Sequence, residues 1–363
     1  MSIERIGLIC PYDLSLPGGV QGQVRAMAVE LVRRGRQVTV VSPGEHADPT
    51  LARHSVTQLL SGRTLAVPAN GSRAPITLSL TAARWAFDSL RRDDVEVIHL
   101  HEPLTPVLGW SALRHFEGGL VGTFHRSGAS PGYRALGSIL RSSTDRLDVA
   151  VAVSSSAADT AQRCAGVRCE VLFNGVEVPR DHSAEPWPTR GPTILFLGRD
   201  EPRKGRDVLI AAGAHLPPTT TIWVTGDPPR LGSGTGGARV EYLGVIDDEE
   251  KQRRLEAADV LCAPSLGGES FGIVLLEGLA AGCVVVASDI DGYRQALGSH
   301  GLLVAPGDEQ ALASALEQAL ALSGPPSTES RSFVESWSMT RLMDRYEERY
   351  LIAATLGGRR RQD

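Results

Sequence analysis

The chain has 363 residues, too many for one hydrophobic core of ordinary size and enough for two domains. Apolar residues make up 42% and charged residues 22%, the balance of a soluble globular protein, and a net charge of −5 gives no electrostatic reason to expect a nucleic-acid partner. Five scattered cysteines (Cys10, Cys164, Cys169, Cys262 and Cys283) form no C-x-x-C pair, which argues against a disulfide framework or zinc site and for a reducing compartment.

Residues 1–10 carry no basic region followed by a long apolar stretch, so no signal peptide is expected. A strand is predicted at 6–10, followed by a turn-rich loop at 11–19. Val20, Val24, Met27, Ala28 and Leu31 then share one helical face, Gly35 ends that helix, and 38–41 reads as the next strand. Residues 80–92 form an amphipathic helix in which Leu80, Ala83, Phe87 and Leu90 share a face. Packing of that face on a sheet is favoured over contact with an anionic membrane, because Asp88, Asp93 and Asp94 dilute its positive charge. Apolar runs bounded by breakers follow at 95–100, 120–124, 149–153 and 171–173.

The polar, proline-rich stretch 179–192 suits a domain boundary. Beyond it the pattern restarts, with strands predicted at 193–197, 221–225, 240–243, 260–263 and 284–287. The glycine-rich stretch 229–237 reads as a flexible loop, 333–354 as helix, and 357–363 as a disordered tail. The longest apolar run, 272–287, is interrupted by Glu277 and is not a spanning helix. Strands alternating with helices imply parallel sheets covered on both faces. The expected fold class is therefore α/β, with two Rossmann-like doubly wound parallel-sheet domains facing across a cleft and ligands at the carboxyl ends of the strands. The expected location is the cytoplasm, with peripheral contact at the inner face of the cell membrane left open.

Four segments carry the chemistry. In Gly267-Gly268-Glu269-Ser270-Phe271-Gly272-Ile273-Val274-Leu275-Leu276-Glu277, a strand gives way to a glycine-rich turn and a helix beginning near Phe271. The free N–H groups there favour a phosphate or sugar oxygen. Glu269 sits in the turn, while Glu277 lies inside an apolar helix and must have a polar partner. In Gly198-Arg199-Asp200-Glu201-Pro202-Arg203-Lys204-Gly205, again after a strand, Arg199, Arg203 and Lys204 are placed to meet the charge of a departing diphosphate. Pro17-Gly18-Gly19-Val20-Gln21 lets backbone approach a ligand closely. His125 closes the strand ending Gly122-Thr123-Phe124. Lysine occurs only at Lys204 and Lys251. Asp289-Ile290-Asp291 has the form of a D-x-D metal motif, but its place after a strand fits a loop turn better.

The pair Glu269 and Glu277 together with the G-R-x-x-x-x-K loop resembles the GT-B retaining glycosyltransferases of family 4. Within that family the chain is most similar to the actinobacterial phosphatidylinositol mannosyltransferases. The likeness rests on Ile9-Cys10-Pro11-Tyr12, Pro17-Gly18-Gly19-Val20-Gln21, Leu100-His101-Glu102-Pro103, Thr123-Phe124-His125 and Asn174-Gly175-Val176, besides the glutamate segment.

The resemblance implies domains at 1–178 and 179–343, with residues 344–363 returning to the first. It implies a nucleotide-sugar donor, best matched by GDP-mannose, held by Gly19, Arg199, Arg203, Lys204, Ile246, Lys251, Glu269, Phe271, Gly272, Ile273 and Glu277. Arg199 and Lys204 would bind the diphosphate, Glu269 sugar hydroxyls and Glu277 the ribose. The catalytic set would be His125, Arg199, Lys204 and Glu269, with His125 positioning the sugar rather than acting as general base. The acceptor, a lipid or glycan, would meet Tyr12, Gln21, Asn70, Ser72, Arg73 and His125. No permanently bound cofactor and no essential metal are implied.

Ala69 stands where the inositol-lipid enzymes have an aromatic residue, Pro75 where they have an arginine, and Arg126-Ser127-Gly128 where they have small hydroxyl residues. A transferase with another nucleotide sugar and a polysaccharide, polyprenyl-linked or small soluble acceptor therefore stays an alternative, as does a non-catalytic nucleotide-sugar-binding protein. A nicotinamide-dependent oxidoreductase is excluded by register: loop 11–19 is too long for G-x-G-x-x-G tightly after the first strand.

Overall fold

The computed structural model describes residues 3–16, 18–69, 72–77, 79–128, 131–178, 185–228, 237–322 and 328–360. It divides into two compact units, one comprising residues 1–175 and 339–363, the other Val176–Ser338.

In the first unit β1 (Arg5–Ile9) leads to α1 (Gly19–Arg33), β2 (Gln37–Ser42), α2 (Pro49–Arg53) and β3 (Thr57–Leu60). A hairpin of β4 (Leu65–Ala69) and β5 (Ser72–Ile76) precedes α3 (Leu80–Arg92). Then come β6 (Val97–His101), α4 (Leu108–His115), β7 (Gly119–Phe124), α5 (Pro131–Thr144), β8 (Val149–Ala152), α6 (Ser155–Ala165) and the two-residue β9 (Glu170–Val171). Seven strands pair in the order β3-β2-β1-β6-β7-β8-β9, all parallel. The order reverses between β1 and β6, which makes their carboxyl ends the expected ligand position of this sheet.

β6 and β7 are buried along their whole length, because helices cover both faces. α1 buries Val24, Met27, Ala28 and Leu31 as its spacing predicted. Ala83, Ala86, Phe87 and Leu90 of α3 pack with Ile98 and Leu100 of β6. Leu80 does not share that face: it is 67% exposed, and Trp85 is 48% exposed. The expected strand at 171–173 is reduced to the short β9.

The second unit runs β10 (Thr193–Phe196), α7 (Arg206–Gly213), β11 (Thr221–Val224), β12 (Arg239–Tyr242), α8 (Asp248–Ala257), β13 (Val260–Ala263), α9 (Ile273–Ala281), β14 (Val284–Ser288), α10 (Asp291–Leu297), β15 (Leu302–Val304), α11 (Glu309–Leu322) and α12 (Thr328–Ser336). Its six parallel strands lie in the order β12-β11-β10-β13-β14-β15, reversing between β10 and β13. Arg254 of α8 is sandwiched between the rings of Trp187 and Trp223, 4.1 and 4.7 Å from their centres, and pairs with Glu250 at 2.7 Å. These contacts fix α8 against the sheet.

The chain then returns to the first unit as α13 (Met339–Arg360), separated from α12 by Trp337 and Ser338. The single helix expected from 333 is thus two helices. The tail expected to be disordered from 357 is corrected as far as Arg360, because α13 continues through Gly357 and Gly358 to that residue; 361–363 lie outside the described residues. A Cβ on Gly357 would lie 2.4 Å from the Gly118 carbonyl carbon, and one on Gly119 would lie 2.6 Å from Ala353 backbone. Glycine here serves close backbone packing, not looseness. Met343, Tyr346, Tyr350 and Ala353 bury that face of α13 in the core containing β1 and β2.

Candidate functional site

In the second unit, β10 delivers its loop to the carboxyl edge of the sheet, where a single helical turn at Pro202–Lys204 ends in Gly205. Gly205 has φ +71°, and a Cβ there would come within 1.9 Å of the Pro264 carbonyl oxygen, so this loop can press against the end of β13 only with glycine. The Arg203 carbonyl accepts from Leu266 N at 2.7 Å and ties the two loops together.

Their side chains form one ionic network. Arg203 Nη1 and Lys204 Nζ meet Glu269 Oε1 at 2.5 and 2.8 Å, and Arg203 Nη2 meets Glu201 Oε2 at 2.7 Å. Arg199 joins through Glu201 at 3.3 Å and is about half exposed. Three cations against two carboxylates leave one net positive charge, next to the start of α9. Gly267, Gly268 and Gly272 all have positive φ, which makes the tight turn. A Cβ on Gly272 would lie 2.6 Å from the Tyr293 ring, and one on Gly292 would lie 2.6 Å from the Glu269 carbonyl oxygen. Tyr293, held by Ser265 at 2.8 Å, therefore backs the turn together with the buried Phe271. Burial, followed by the nearby Glu269 charge, pushes the Tyr293 hydroxyl well up, so it stays a neutral support. No side chain caps the start of α9, and the N–H groups of Ile273 and Val274, ahead of the bond from Leu275 N–H to the Gly272 carbonyl at 3.0 Å, suit an anion.

The partner that Glu277 requires is Lys251, whose Nζ lies 3.1 Å from its Oε1. Burial alone would pull the Lys251 ammonium down, but Glu277 and then Asp248 outweigh it and the net shift is upward. Ile246 is half-buried in the loop before α8. Reciprocal backbone hydrogen bonds between Gly226 and Gly244 tie that loop to the one after β11. Arg199, Arg203, Lys204, Glu269, Lys251 and Glu277 thus form two ion-paired groups on loops and helices following β10, β12 and β13.

In the first unit, Gly18 and Gly19 begin α1, and Gln21, nearly buried, donates to the Asp13 carbonyl at 3.4 Å. A Cβ on Gly18 would strike the Gln21 side chain at 2.3 Å. Tyr12 is half-buried against the core. Ser72 and Arg73 lie on β5, opposite Ala69 and Pro68 of β4, while Asn70 lies outside the described residues, as do Pro17 and Gly71.

His125, after β7, is not isolated. Its Nε2 is 2.9 Å from His101 Nδ1, and its backbone N–H donates to Glu102 Oε2 at 3.0 Å. The rings of His99 and His101 stack at 4.4 Å, and those of His101 and His125 at 5.2 Å. His99 bonds Tyr350 Oη at 2.8 Å and Thr123 Oγ1 at 2.7 Å, and Thr123 bonds Tyr346 Oη at 2.9 Å. Burial holds His125 and His99 neutral down to about 3, with the His125 neighbour adding to the effect at His99. Burial, then His99 and His125, lowers His101 as well.

Glu102 takes φ +56° and accepts from Tyr133 Oη with its other oxygen. Burial raises its carboxyl despite those bonds. Arg126 lies over the Tyr133 ring at 4.7 Å. Glu102, His99, His101 and Glu201 were not singled out from the sequence. The Leu100-His101-Glu102-Pro103 motif signalled His101 and Glu102, whereas nothing local signalled His99 or Glu201.

Arg294 pairs with both carboxylates of the D-x-D sequence, with Asp289 at 2.5 Å and Asp291 at 3.0 Å. Among the described residues, no group of three or more His, Cys, Asp or Glu could hold a metal, and no helix is long and apolar enough to cross a membrane.

Comparison with known proteins agrees with this architecture. The family described as Glycosyltransferase Family 4 matches residues 17–180, and that described as Glycosyl transferases group 1 matches residues 191–321. The phosphatidyl-myo-inositol mannosyltransferase of Mycobacterium leprae is 41% identical, with 86% of each chain covered. The protein of the same name from Propionibacterium freudenreichii is 37% identical over 81% of this chain and 79% of its own. Among solved structures, Anabaena HepE in complex with UDP and glucose has a TM-score of 0.73 at 20% identity, covering 95% of this chain and 98% of its own. Sucrose-phosphate synthase from Thermosynechococcus elongatus has a TM-score of 0.72 at 21% identity, covering 96% and 98%. Two parallel-sheet Rossmann-like domains, the paired motif glutamates and a relative 41% identical over 86% of each chain place the chain in glycosyltransferase family 4, in the group of the phosphatidyl-myo-inositol mannosyltransferases.

Proposed function

We propose that this chain is a retaining mannosyltransferase that moves mannose from GDP-mannose to an inositol hydroxyl of phosphatidylinositol at the inner face of the cell membrane. The observation that carries the reading is the Arg203–Glu269–Lys204 cluster at the head of α9, with Arg199 half exposed beside it. As the bond from the sugar C1 to the diphosphate oxygen breaks, negative charge grows on the leaving group. Arg199, Lys204 and the first N–H groups of α9 are suited to receive it. Glu269, already oriented by two cations, would accept from sugar hydroxyls. Glu277 would accept from the ribose, with Ile246 and Lys251 beside the base and Gly19 facing the phosphate.

The acceptor hydroxyl would attack C1 from the face the diphosphate leaves, and its proton would pass to the departing phosphate oxygen. Retention then needs no protein nucleophile. Tyr12, Gln21, Asn70, Ser72 and Arg73 are proposed for the acceptor, and His125 for a sugar oxygen. A neutral imidazole fits that positioning role.

The test is calorimetric binding of GDP, UDP and ADP, followed by incubation of the matching sugar donors with phosphatidylinositol vesicles and NMR of the anomeric proton. GDP preference with α-mannosylated lipid is the expected result. Selective nucleotide binding with no lipid modification would overturn the acceptor and favour the soluble or polyprenyl-linked alternative, consistent with Ala69 and Pro75 in the acceptor hairpin. An inverted product would overturn retention.

A further inference from the structure

His101 is 2% exposed, and its two ring nitrogens differ sharply. Nδ1 faces His125 Nε2 at 2.9 Å, whereas Nε2 is buried with no hydrogen-bond partner among the described residues. Both rings are neutral, so the contact between them holds one proton. That proton has two positions. On His125 Nε2, it would require His101 to carry its own proton on Nε2, leaving a buried N–H with no acceptor, and His125 would turn a bare Nδ1 outward. On His101 Nδ1, it leaves a bare lone pair in the interior and a proton on His125 Nδ1. A buried N–H without an acceptor is the rarer state in folded proteins.

We infer that His101 is a positioning residue that fixes the tautomer of His125, donating from Nδ1 so that His125 presents Nδ1–H, a hydrogen-bond donor, to the ligand. His125 itself is only partly buried, and its Nδ1 takes no partner among the described residues. Two neighbours hold the pair in register. The His99 ring lies flat on His101 at 4.4 Å and is pinned by Tyr350 and Thr123, and Glu102 grips the His125 backbone N–H. The ligand class that follows is an oxygen acceptor, such as a sugar hydroxyl or phosphate oxygen. A group needing its proton removed would be served by the opposite tautomer. The link to sugar transfer rests on the function proposed above, but the tautomer does not.

The test is a long-range ¹H–¹⁵N correlation spectrum of ¹⁵N-histidine-labelled full-length protein without ligand. His125 should show a protonated-type Nδ1 and a bare Nε2, and a proton on His125 Nε2 would overturn the inference whatever the enzyme transfers. In His101→Leu the His125 proton should move to Nε2. The kcat should then fall about 10- to 100-fold, with the donor KM nearly unchanged. His101→Asn, whose side-chain amide keeps a donor near the Nδ1 position, should restore both the spectrum and much of the rate. Equal losses in both variants with an unmoved His125 tautomer would show a purely structural role. A correct tautomer in a protein that transfers no sugar would leave this inference standing and remove the functional reading instead.

Discussion

Lys251 Nζ stands 3.1 Å from Glu277 Oε1, across the gap between α8 and α9. The other lysine of the chain, Lys204, stands 2.8 Å from Glu269. In a sequence that otherwise uses arginine for its basic side chains, both lysines are spent on the two motif glutamates. A compact ammonium can share a carboxylate with an incoming hydroxyl without the fixed fork geometry of a guanidinium.

Lys251→Ala removes that partner from a half-buried carboxylate. We expect nucleotide affinity to weaken about tenfold, which is about 1.4 kcal/mol. Folding stability should fall by about 1 kcal/mol, because both side chains keep some solvent. Calorimetry with the preferred nucleotide and a urea titration check both, and unchanged affinity would detach Lys251 from the nucleotide site.

Arg199 and Arg203 should separate cleanly. Arg203→Ala strips one of two cations from Glu269 and leaves Glu201 poorly compensated, so stability should drop by about 2 kcal/mol along with activity. Arg199 is half exposed and, among the described residues, its side chain pairs with Glu201 alone, so Arg199→Ala should leave stability within about 0.5 kcal/mol while turnover falls about 100-fold. Thermal melts beside initial rates decide the matter: equal melting losses in the two variants would contradict the network.

Two glycines with similar backbone angles should respond differently to alanine. At Gly205, φ is +71° and the new Cβ would meet the Pro264 carbonyl oxygen at 1.9 Å. At Gly244, φ is +65° but nothing lies within 4 Å. We expect Gly244→Ala to cost about 1 kcal/mol, the backbone penalty alone, and Gly205→Ala about 3 kcal/mol or more. Denaturation midpoints of the pair measure the difference, and similar values would show that the loop yields.

The buried histidines predict a pH dependence with a definite sign. In the unfolded chain they take up protons near 6.5, whereas His99 and His125 in the fold stay neutral to about 3 and His101 is also lowered. The unfolded state therefore binds more protons between those limits. Stability is full above 6.5 and falls as pH drops toward 3, by about 1.4 kcal/mol per pH unit for each group. Glu102, raised by burial, opposes this in the carboxylate range and blunts the lower part of the fall. Urea midpoints at pH 7.5, 6.5 and 5.5 should decline in that order, and a flat series would mean that these rings are solvated.

The central strands β1, β2, β6, β7, β8, β10, β11, β13 and β14, and the edge strand β12, were legible because burial favours largely apolar runs, which can be read without a partner. The edge strands β3 and β15 and the hairpin β4–β5 were not. Edge positions bury less, and Pro68 and Pro75 inside the hairpin argue locally against any strand. Gly357 looked like the start of a loose tail and proved to be a packing residue, since what it packs on, Gly118, lies far away in the chain.

The same division runs through the site. Glycine-rich turns after strands, a carboxylate needing a partner in an apolar helix, and cations beside them are local facts of spacing, and the sequence by itself determined them, along with the two-sheet α/β class. Which cation meets which carboxylate was decided by tertiary structure. Arg203 and Glu269 are 66 residues apart, and Glu201 between Arg199 and Arg203 needed the loop's actual turn to be seen as their link. The environment of His125 lies wholly on that side. Its partner His101 comes from the neighbouring strand, and the tyrosine anchoring that layer is 251 residues from His99. A ring's protonation depends on what surrounds each nitrogen, and only folding brings those surroundings together.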